Sequence, residues 1–432
     1  MTKQQAIRAT RFVGKVTLGL VASGLILALT SSSFAQPQVA LSADDAVRLG
    51  LEHNPQVVAA RAGVAFARST YRSLASLPPV TLGATQQQGK GNDPDTFLNL
   101  GEVLDLSGQR RYGAASATEQ YRATFYQFHE TILGLEQQIR DAYWTLAAAR
   151  GQAQIATVSL KEAQRIYDLT VKQEQAGSSP KSDVIRSSID VANAKQILLA
   201  SQAADRSAQI SFNVLLSQPP TTPVMLSSDL TQDTAAVPIE LPGSIEDLNK
   251  QALAERPLLK AANSQAVAAK YFVQQAESTR LPDLNIDFQK SVVHSTNLMV
   301  FGLSFPLLDF GSVGHSIRAA KELKKQADAV KIQTEHEVIR QVAQAYTDLK
   351  YAIEAASSYK KDILYPSVTL LSMAQLGYQQ GATGILPIID AESTIRNARV
   401  GYITSLLSVY KAQDELQAAL GTPSIATSPK KP

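Results

Sequence analysis

The stretch DLNIDFQKSV at residues 283–292 alternates between two kinds of side chain. Leu284, Ile286, Phe288 and Val292 fall on one side, and Asp283, Asn285, Asp287, Gln289 and Ser291 on the other. A period of two predicts a β-strand with one apolar and one polar face. Within 297–305, Met299, Phe301, Leu303 and Phe305 again share a side, opposite Gly302 and Ser304, so 283–306 reads as a β-hairpin. Each strand has about the length that a tilted strand needs to cross a bilayer, some 9–11 residues. The next stretch is different in kind. Residues 311–380 contain one proline, Pro366, and read as a single long helix with a kink or break there. At about 1.5 Å per residue such a helix spans roughly 100 Å, more than an ordinary globular core.

The same order of elements occurs earlier in the chain. Glu52-His53-Asn54-Pro55 matches Ala254-Glu255-Arg256-Pro257, and Leu77-Pro78-Pro79 matches Leu281-Pro282-Asp283. Leu104 to Gly108 matches Leu308 to Ser312, and Asp141-Ala142-Tyr143 matches Gln344-Ala345-Tyr346. Gln175-Ala176-Gly177 matches Gln379-Gln380-Gly381, and Asn193-Ala194-Lys195 matches Asn397-Ala398-Arg399, every offset lying between 202 and 204. Six matches in one order at a near-constant spacing predict a tandem duplication. The first repeat is 36–220: a helix from Pro55, a β-hairpin at 80–104, a long helix 108–176 and a helix 181–217. A Pro/Thr/Ser-rich linker, 221–246, leads to the second repeat, 247–423. That repeat has a helix from Pro257, the hairpin 283–306, the long helix 311–380 and a helix 387–420. A tail of 424–432 remains.

In the last helix, Ile388, Ala391, Ile395, Ala398, Tyr402, Leu406, Val409, Ala412, Leu416 and Ala419 step by three or four. The mean step is close to the 3.5 of a left-handed coiled coil. In each repeat the two shorter helices, laid end to end, match the long one. The sheet then sits at one end of a helical rod and the glycine turns, Gly177–Pro180 and Gly381–Gly384, at the other. Four strands cannot close a barrel, and open strand edges are excluded from lipid. Several chains must therefore share one barrel, and three supply twelve strands, an even number in the known range.

Composition narrows the function. Of 432 residues 44% are hydrophobic and none is Cys, which excludes a disulfide scaffold, a Cys-ligated metal site and a Cys nucleophile. Residues 1–35 carry Lys3, Arg8, Arg11 and Lys15, then the apolar run 16–30, then Ser33-Phe34-Ala35, the pattern of a secretory signal peptide. Without those four bases the 41 basic residues become 37 against 38 acidic ones, a formal charge of −1. Nothing in this balance calls for nucleic acid. A Cys-free exported chain with no later apolar run of spanning length points to a Gram-negative periplasm or outer membrane.

These features together resemble the TolC family of outer-membrane efflux proteins. The likeness extends over nearly all of the mature chain. It rests on the duplicated element order, on Asn54-Pro55 and Arg256-Pro257, on FPLLDFGSVGHSIRAA at 305–320, and on YQQGATGILPIIDAESTIRNA at 378–398. The resemblance implies a mainly α protein with a membrane β-barrel. Duplicated long α-hairpins form a periplasmic α-barrel, and four strands per chain complete a trimeric twelve-stranded barrel. It implies a homotrimer, a periplasmic adaptor protein, an inner-membrane pump and outer-membrane lipid as partners. The function implied is a passive conduit for efflux or type I secretion, with an iris-like periplasmic tip. By position the tip link falls on Tyr378 and Asp183, and one pore acid on Asp390. Thr383 and Pro387 stand where the best-known member has an Arg and a second acid. Gly177, Ser178, Gly381, Ala382 and Thr383 fall at the tips that meet the adaptor. Leu106-Ser107-Gly108-Gln109-Arg110-Arg111 is similar to a motif of metal-efflux members.

Catalytic chemistry is not expected. The chain has no GxSxG, P-loop, dinucleotide fingerprint or HExxH, and no cofactor or metal is called for. Glu335-His336-Glu337 reads as a solvated helical face. The remaining alternative is a non-transporting periplasmic coiled-coil structural protein whose strands pair outside any bilayer.

Overall fold

The structure is a computed structural model and describes residues 40–77, 79–88, 94–231, 241–292, 296–304 and 310–422. The signal peptide 1–35, the hairpin-loop residues 89–93 and 293–295, which include Asn92 and His294, the run 305–309 and the tail 424–432 lie outside the described residues.

Elements repeat as the duplication predicts. The first half has α1 (Ala43–His53), α2 (Pro55–Ala75), β1 (Thr81–Gln88), β2 (Pro94–Leu104), α3 (Gln109–Gln175) and α4 (Lys181–Leu215). The second has α5 (Ile245–Glu255), α6 (Pro257–Ser278), β3 (Asp283–Ser291), β4 (Asn297–Ser304), α7 (Ser312–Ser358), a π-helical turn (Tyr359–Leu364), α8 (Tyr365–Gln379) and α9 (Leu386–Leu420). The helices α3 and α7–α8 run the length of the rod. Near the sheet the lateral order is α2, α3, α6, α7, and toward the turns it is α4, α3, α9, then α7–α8. All ten positions expected to form the stripe of α9 are buried.

The short helices α1 and α5 are additions to the elements that the sequence pattern predicts. Each is opened by a capping box in which a serine hydroxyl accepts the amide of an aspartate three residues on, Ser42–Asp45 at 3.1 Å and Ser244–Asp247 at 3.2 Å. Each packs against the middle of a long helix. Ala46, Val47 and Leu51 meet Phe128, Ile132, Leu135, Ile139 and Tyr143. Leu248 and Ala252 meet Val338, Val342, Ala345 and Leu349. The part of the proline-rich segment that is described also packs down. Leu41 bridges Leu226, Leu230 is buried, and the Tyr143 hydroxyl lies 3.0 Å from the Ser228 hydroxyl.

At the middle of the rod, the end of one short helix meets the start of the next. In the first half Asn54 does two jobs there. Its carbonyl oxygen accepts the Gln56 amide at 2.8 Å, and its amide nitrogen donates to the Leu215 carbonyl at the end of α4 at 3.1 Å. The matching residue of the second half, Arg256, donates to the Ala418 carbonyl near the end of α9, to Glu130 of α3 at 2.7 Å and to Gln341 of α7 at 3.3 Å. Both residues are buried.

Where a kink or break is expected near Pro366, the chain has a π-helical turn, Tyr359–Leu364, and α8 follows directly from it. Proline has no amide hydrogen and its ring crowds the carbonyl four residues back. An added residue in the preceding turn absorbs both. The turn is held against α9, where Leu364 is buried with Ala398, Tyr402 and Leu406, and the Lys360 ammonium sits 5.7 Å from the Tyr402 ring centre.

Among the described residues the strands make one antiparallel sheet in the order β1-β2-β3-β4, so β2 and β3 join the two repeats. The register puts Leu82, Leu100, Phe288 and Met299 in one row and Leu104, Leu284 and Leu303 in another, all on one face. The other face carries Thr81, Thr85, Asn99, Asp283, Asn285 and Asp287. The apolar side chains are exposed: Leu82 is 76% accessible and Phe301 65%.

Replacing Arg256 by Ala leaves Glu130 without its partner and a helix-end carbonyl without a donor. The expected cost is roughly 2–4 kcal/mol, read as a lower melting temperature in detergent. Arg340→Ala, which removes an exposed pair with Glu337, should leave melting unchanged, and equal melting of the two variants overturns the role of Arg256.

Candidate functional site

The two ends of the rod farthest from the sheet are built alike. Gly177 has φ 75° and Gly381 has φ 72°, the left-handed region that favours glycine. Around the first, the Ser178 amide donates to Gln173 and the Gly177 amide to Glu174, both at 2.9 Å. Around the second, the Ala382 amide donates to Gly377 at 2.9 Å and the Gly381 amide to Tyr378 at 3.0 Å. Each is a Schellman cap, which closes the last helical turn and reverses the chain. A side chain added at Gly177 or Gly381 would meet no atom within 4 Å. These glycines are needed for backbone angle, not for space. Gly177, Ser178, Gly381, Ala382 and Thr383 are all exposed, and Thr383 folds back over Gly377.

Tyr378 lies one turn above the second cap. Its ring joins a small core of Ile166, Ile385 and Ile388, and its hydroxyl donates to the Gln173 side chain of α3. The direct bond to Asp183 implied by the resemblance is not what the chain forms. Gln173 lies on the last turn of α3, which the two matched caps bring level with Tyr378, whereas Asp183 is on the first turn of α4. Asp183 accepts from the Ser179 hydroxyl at 3.2 Å. Burial raises the Tyr378 hydroxyl above its usual range, and the Asp183 charge adds to the rise, so Tyr378 stays a neutral donor. Asp390 is exposed on α9 between buried Ile388 and Ala391, with no hydrogen bond or ion pair among the described residues.

Farther up the rod, a groove of about 330 Å³ is lined by Glu162, Arg165, Glu392, Arg396 and Arg399. Burial raises the Glu392 carboxyl, and the nearby charge of Glu162 raises it further. Burial also raises Asp190, against the pull of Arg396. No local pattern in the sequence brings this charged belt together, because its members lie far apart in the chain on three helices.

A second buried charge cluster sits level with α1. Arg140 pairs with Asp44, with Glu136 at 3.5 Å and with Asp414 at 4.0 Å. The Trp144 indole donates to Asp414 at 3.1 Å and stacks on Tyr410 with ring centres 3.9 Å apart. Burial pushes the Asp414 carboxyl up to about 7, outweighing Arg140, and pushes Asp141 up to about 6.

Among the described residues no group of His, Asp and Glu is arranged to hold a metal ion. Glu335 pairs with Lys331 and Glu337 with Arg340, so both neighbours of His336 are engaged.

One chain thus carries a four-stranded sheet with a largely apolar face on a rod of duplicated helices. Sequence comparison gives the family: the outer membrane efflux protein family matches residues 46–216 and 248–422, and the chain belongs to it. The pyoverdine export outer membrane protein OpmQ of Pseudomonas putida is 25% identical, with 92% of this chain and 88% of that one covered. The cobalt-zinc-cadmium resistance protein CzcC of Cupriavidus metallidurans is 23% identical over 74% of this chain and 75% of that one. In fold the chain is similar to the outer-membrane channel OprN, with a TM-score of 0.74 at 23% identity, covering 88% of this chain and 90% of that one. The open state of the Neisseria gonorrhoeae MtrE channel has the same TM-score at 18% identity, covering 88% and 89%. The protein is an outer-membrane efflux channel, and family membership decides against a purely structural coiled coil.

A carboxyl raised by burial holds a proton in the folded state that the unfolded chain has already released. Asp414 therefore makes stability fall as pH rises from about 4 to about 7. Asp414→Asn keeps an acceptor for Trp144 and removes the titration. Its melting temperature relative to the parent should shift upward between pH 5 and pH 8. A constant difference overturns the assignment.

Proposed function

We propose that three copies of the chain assemble into one conduit through the outer membrane and periplasm, with the tips as its gate and as the docking point for a periplasmic adaptor. The observation that carries this reading is the pair of open edges on an amphipathic sheet. β1 and β4 have no strand partner on their outer sides among the described residues. Lipid excludes unpaired strand edges. Copies joined β1 to β4 remove every edge, and three of them give twelve strands with Thr81, Asn99, Asp283 and Asp287 toward water and the leucine rows toward lipid.

In this reading Tyr378 and Gln173 hold the tip closed by tying the end of α8 to the end of α3, and Asp183 adds charge beside them. Three copies of Asp390 around a narrow pore repel one another and attract cations, which favours cation passage. The exposed caps at Gly177–Ser178 and Gly381–Thr383 are what an adaptor meets first. The channel does no chemistry of its own. An inner-membrane pump selects and drives the cargo, which fits a family whose members are named for pyoverdine export, cobalt-zinc-cadmium resistance and toluene efflux.

Native mass spectrometry of the purified protein should give a trimer, and a monomer overturns the shared barrel. In planar bilayers Tyr378→Phe combined with Gln173→Ala should raise single-channel conductance above that of the parent. Unchanged conductance, with the trimer mass retained, removes the gate role from this pair.

A further inference from the structure

The apolar face of the sheet continues past the ends of its strands. At the helical end a groove of about 260 Å³ opens between the last turn of α2, the end of β2 and the first turns of α3. Leu74, Leu77 and Leu104 line it and are exposed, Leu77 by 89%. Leu104 lies in the row shared with Leu284 and Leu303, so the groove is continuous with the lipid-facing surface.

Four charged side chains also line this groove, and two of them stand apart, Glu102 and Arg111. They do not pair with each other, and neither has a hydrogen-bond or ion-pair partner among the described residues. The other charges here are engaged. Arg110 donates to the Ser76 carbonyl, and Asp105 accepts the Gln109 amide at 3.1 Å and the Arg110 amide at 2.7 Å. The Asp105 carboxyl is held below its usual range by Ser107 and these amides, against the effect of burial, so it occupies the start of α3 as an anion. The cation left over is the Arg111 side chain, not the helix terminus.

An apolar wall open to lipid, one free guanidinium and one free carboxylate call for a molecule with an apolar chain, an anionic group and a cationic donor. We propose that this groove binds an ethanolamine phospholipid of the periplasmic leaflet. Its phosphodiester lies on Arg111, its ammonium on Glu102, and an acyl chain runs along Leu77 and Leu104 toward Leu82. Arginine suits phosphate because its planar fork offers two parallel donors. A primary ammonium can donate to Glu102, whereas a choline headgroup cannot. The inference rests on the membrane placement of the sheet and does not require a particular number of copies. The bound lipid fills the junction at which the barrel gives way to the helical rod.

The full chain, purified in mild detergent, is incubated with phosphatidylethanolamine, with phosphatidylcholine or phosphatidylglycerol of the same acyl chains, or with inorganic phosphate. Lipid adducts per chain are counted by native mass spectrometry. The expected result is one phosphatidylethanolamine retained per chain, less of the other two lipids and no phosphate adduct. Arg111→Gln should weaken phosphatidylethanolamine retention about tenfold, the scale of losing a charge-assisted hydrogen bond. Glu102→Gln should bring it down to the phosphatidylcholine level and leave phosphatidylcholine itself unchanged. Equal retention by the parent and Arg111→Gln, equal retention of the ethanolamine and choline lipids, or a phosphate adduct alone overturns the proposal. Assembly mass and helical circular dichroism of the same samples show whether each variant is folded, and they report separately on the trimer.

Discussion

The rod depends on how a helix is allowed to end in its middle. Two of its helical columns are continuous, but the other two are each made from a pair of helices meeting end to end, and every helix end leaves carbonyls without donors. In the first half a neutral donor meets this need: Asn54 reaches across the joint to the Leu215 carbonyl. In the second half the equivalent position holds Arg256, which covers the Ala418 carbonyl and also reaches Glu130 and Gln341 on two further helices. The same position thus caps a helix in one repeat and ties four helices together in the other. Proline comes after both residues and starts the next helix where a missing amide hydrogen costs nothing. With the joints satisfied, helices of 21 and 35 residues can lie in register beside one of 67.

The duplication is closely kept where backbone geometry is demanding and has drifted where only side chains meet. Both tips are Schellman caps with a glycine in the same conformation, because the chain must reverse there. Both short helices begin with the same serine–aspartate box. The long helices have diverged. α3 is unbroken, while the second carries Pro366 and a π-turn that places Tyr359 against Gly401, where an added side chain would collide with the tyrosine hydroxyl. The close approach of α9 to this turn needs glycine at 401 for space, whereas the tips need it for angle.

Periodicity made the fold legible. The α9 stripe and the alternating strand at 283–292 are local patterns whose meaning does not depend on distant residues, and the sheet register puts Phe288 opposite Met299 as that alternation requires. The capping boxes of α1 and α5 were equally local, but those helices are short and their apolar positions few. The tip was less legible. That Tyr378 meets Gln173 rather than Asp183 depends on how two helix ends, 205 residues apart in the chain, are levelled by their caps. The charged belt around Glu392 and the cluster around Asp414 have the same character. Each acid is ordinary in its own helix and becomes unusual only once α3 and α9 bury it.

Three of the exposed apolar surfaces among the described residues have different physical requirements. The sheet face is two-dimensional, and its apolar rows suit lipid, which needs no hydrogen bonds from the side chains that touch it; Glu102, at the helical end, is the exception that the proposed lipid headgroup meets. The outer sides of α4, with Ile185, Ile189 and Ile197, and of α8, with Val368, Met373 and Leu376, are narrow stripes on opposite margins of the rod. A stripe of that width matches another helix, not a bilayer, and in the proposed trimer the α4 stripe of one copy faces the α8 stripe of the next. Closing the barrel and closing the rod are then one event. The strand edges cannot be satisfied in lipid without neighbouring chains, and those chains bring the helical margins that cover the remaining apolar stripes.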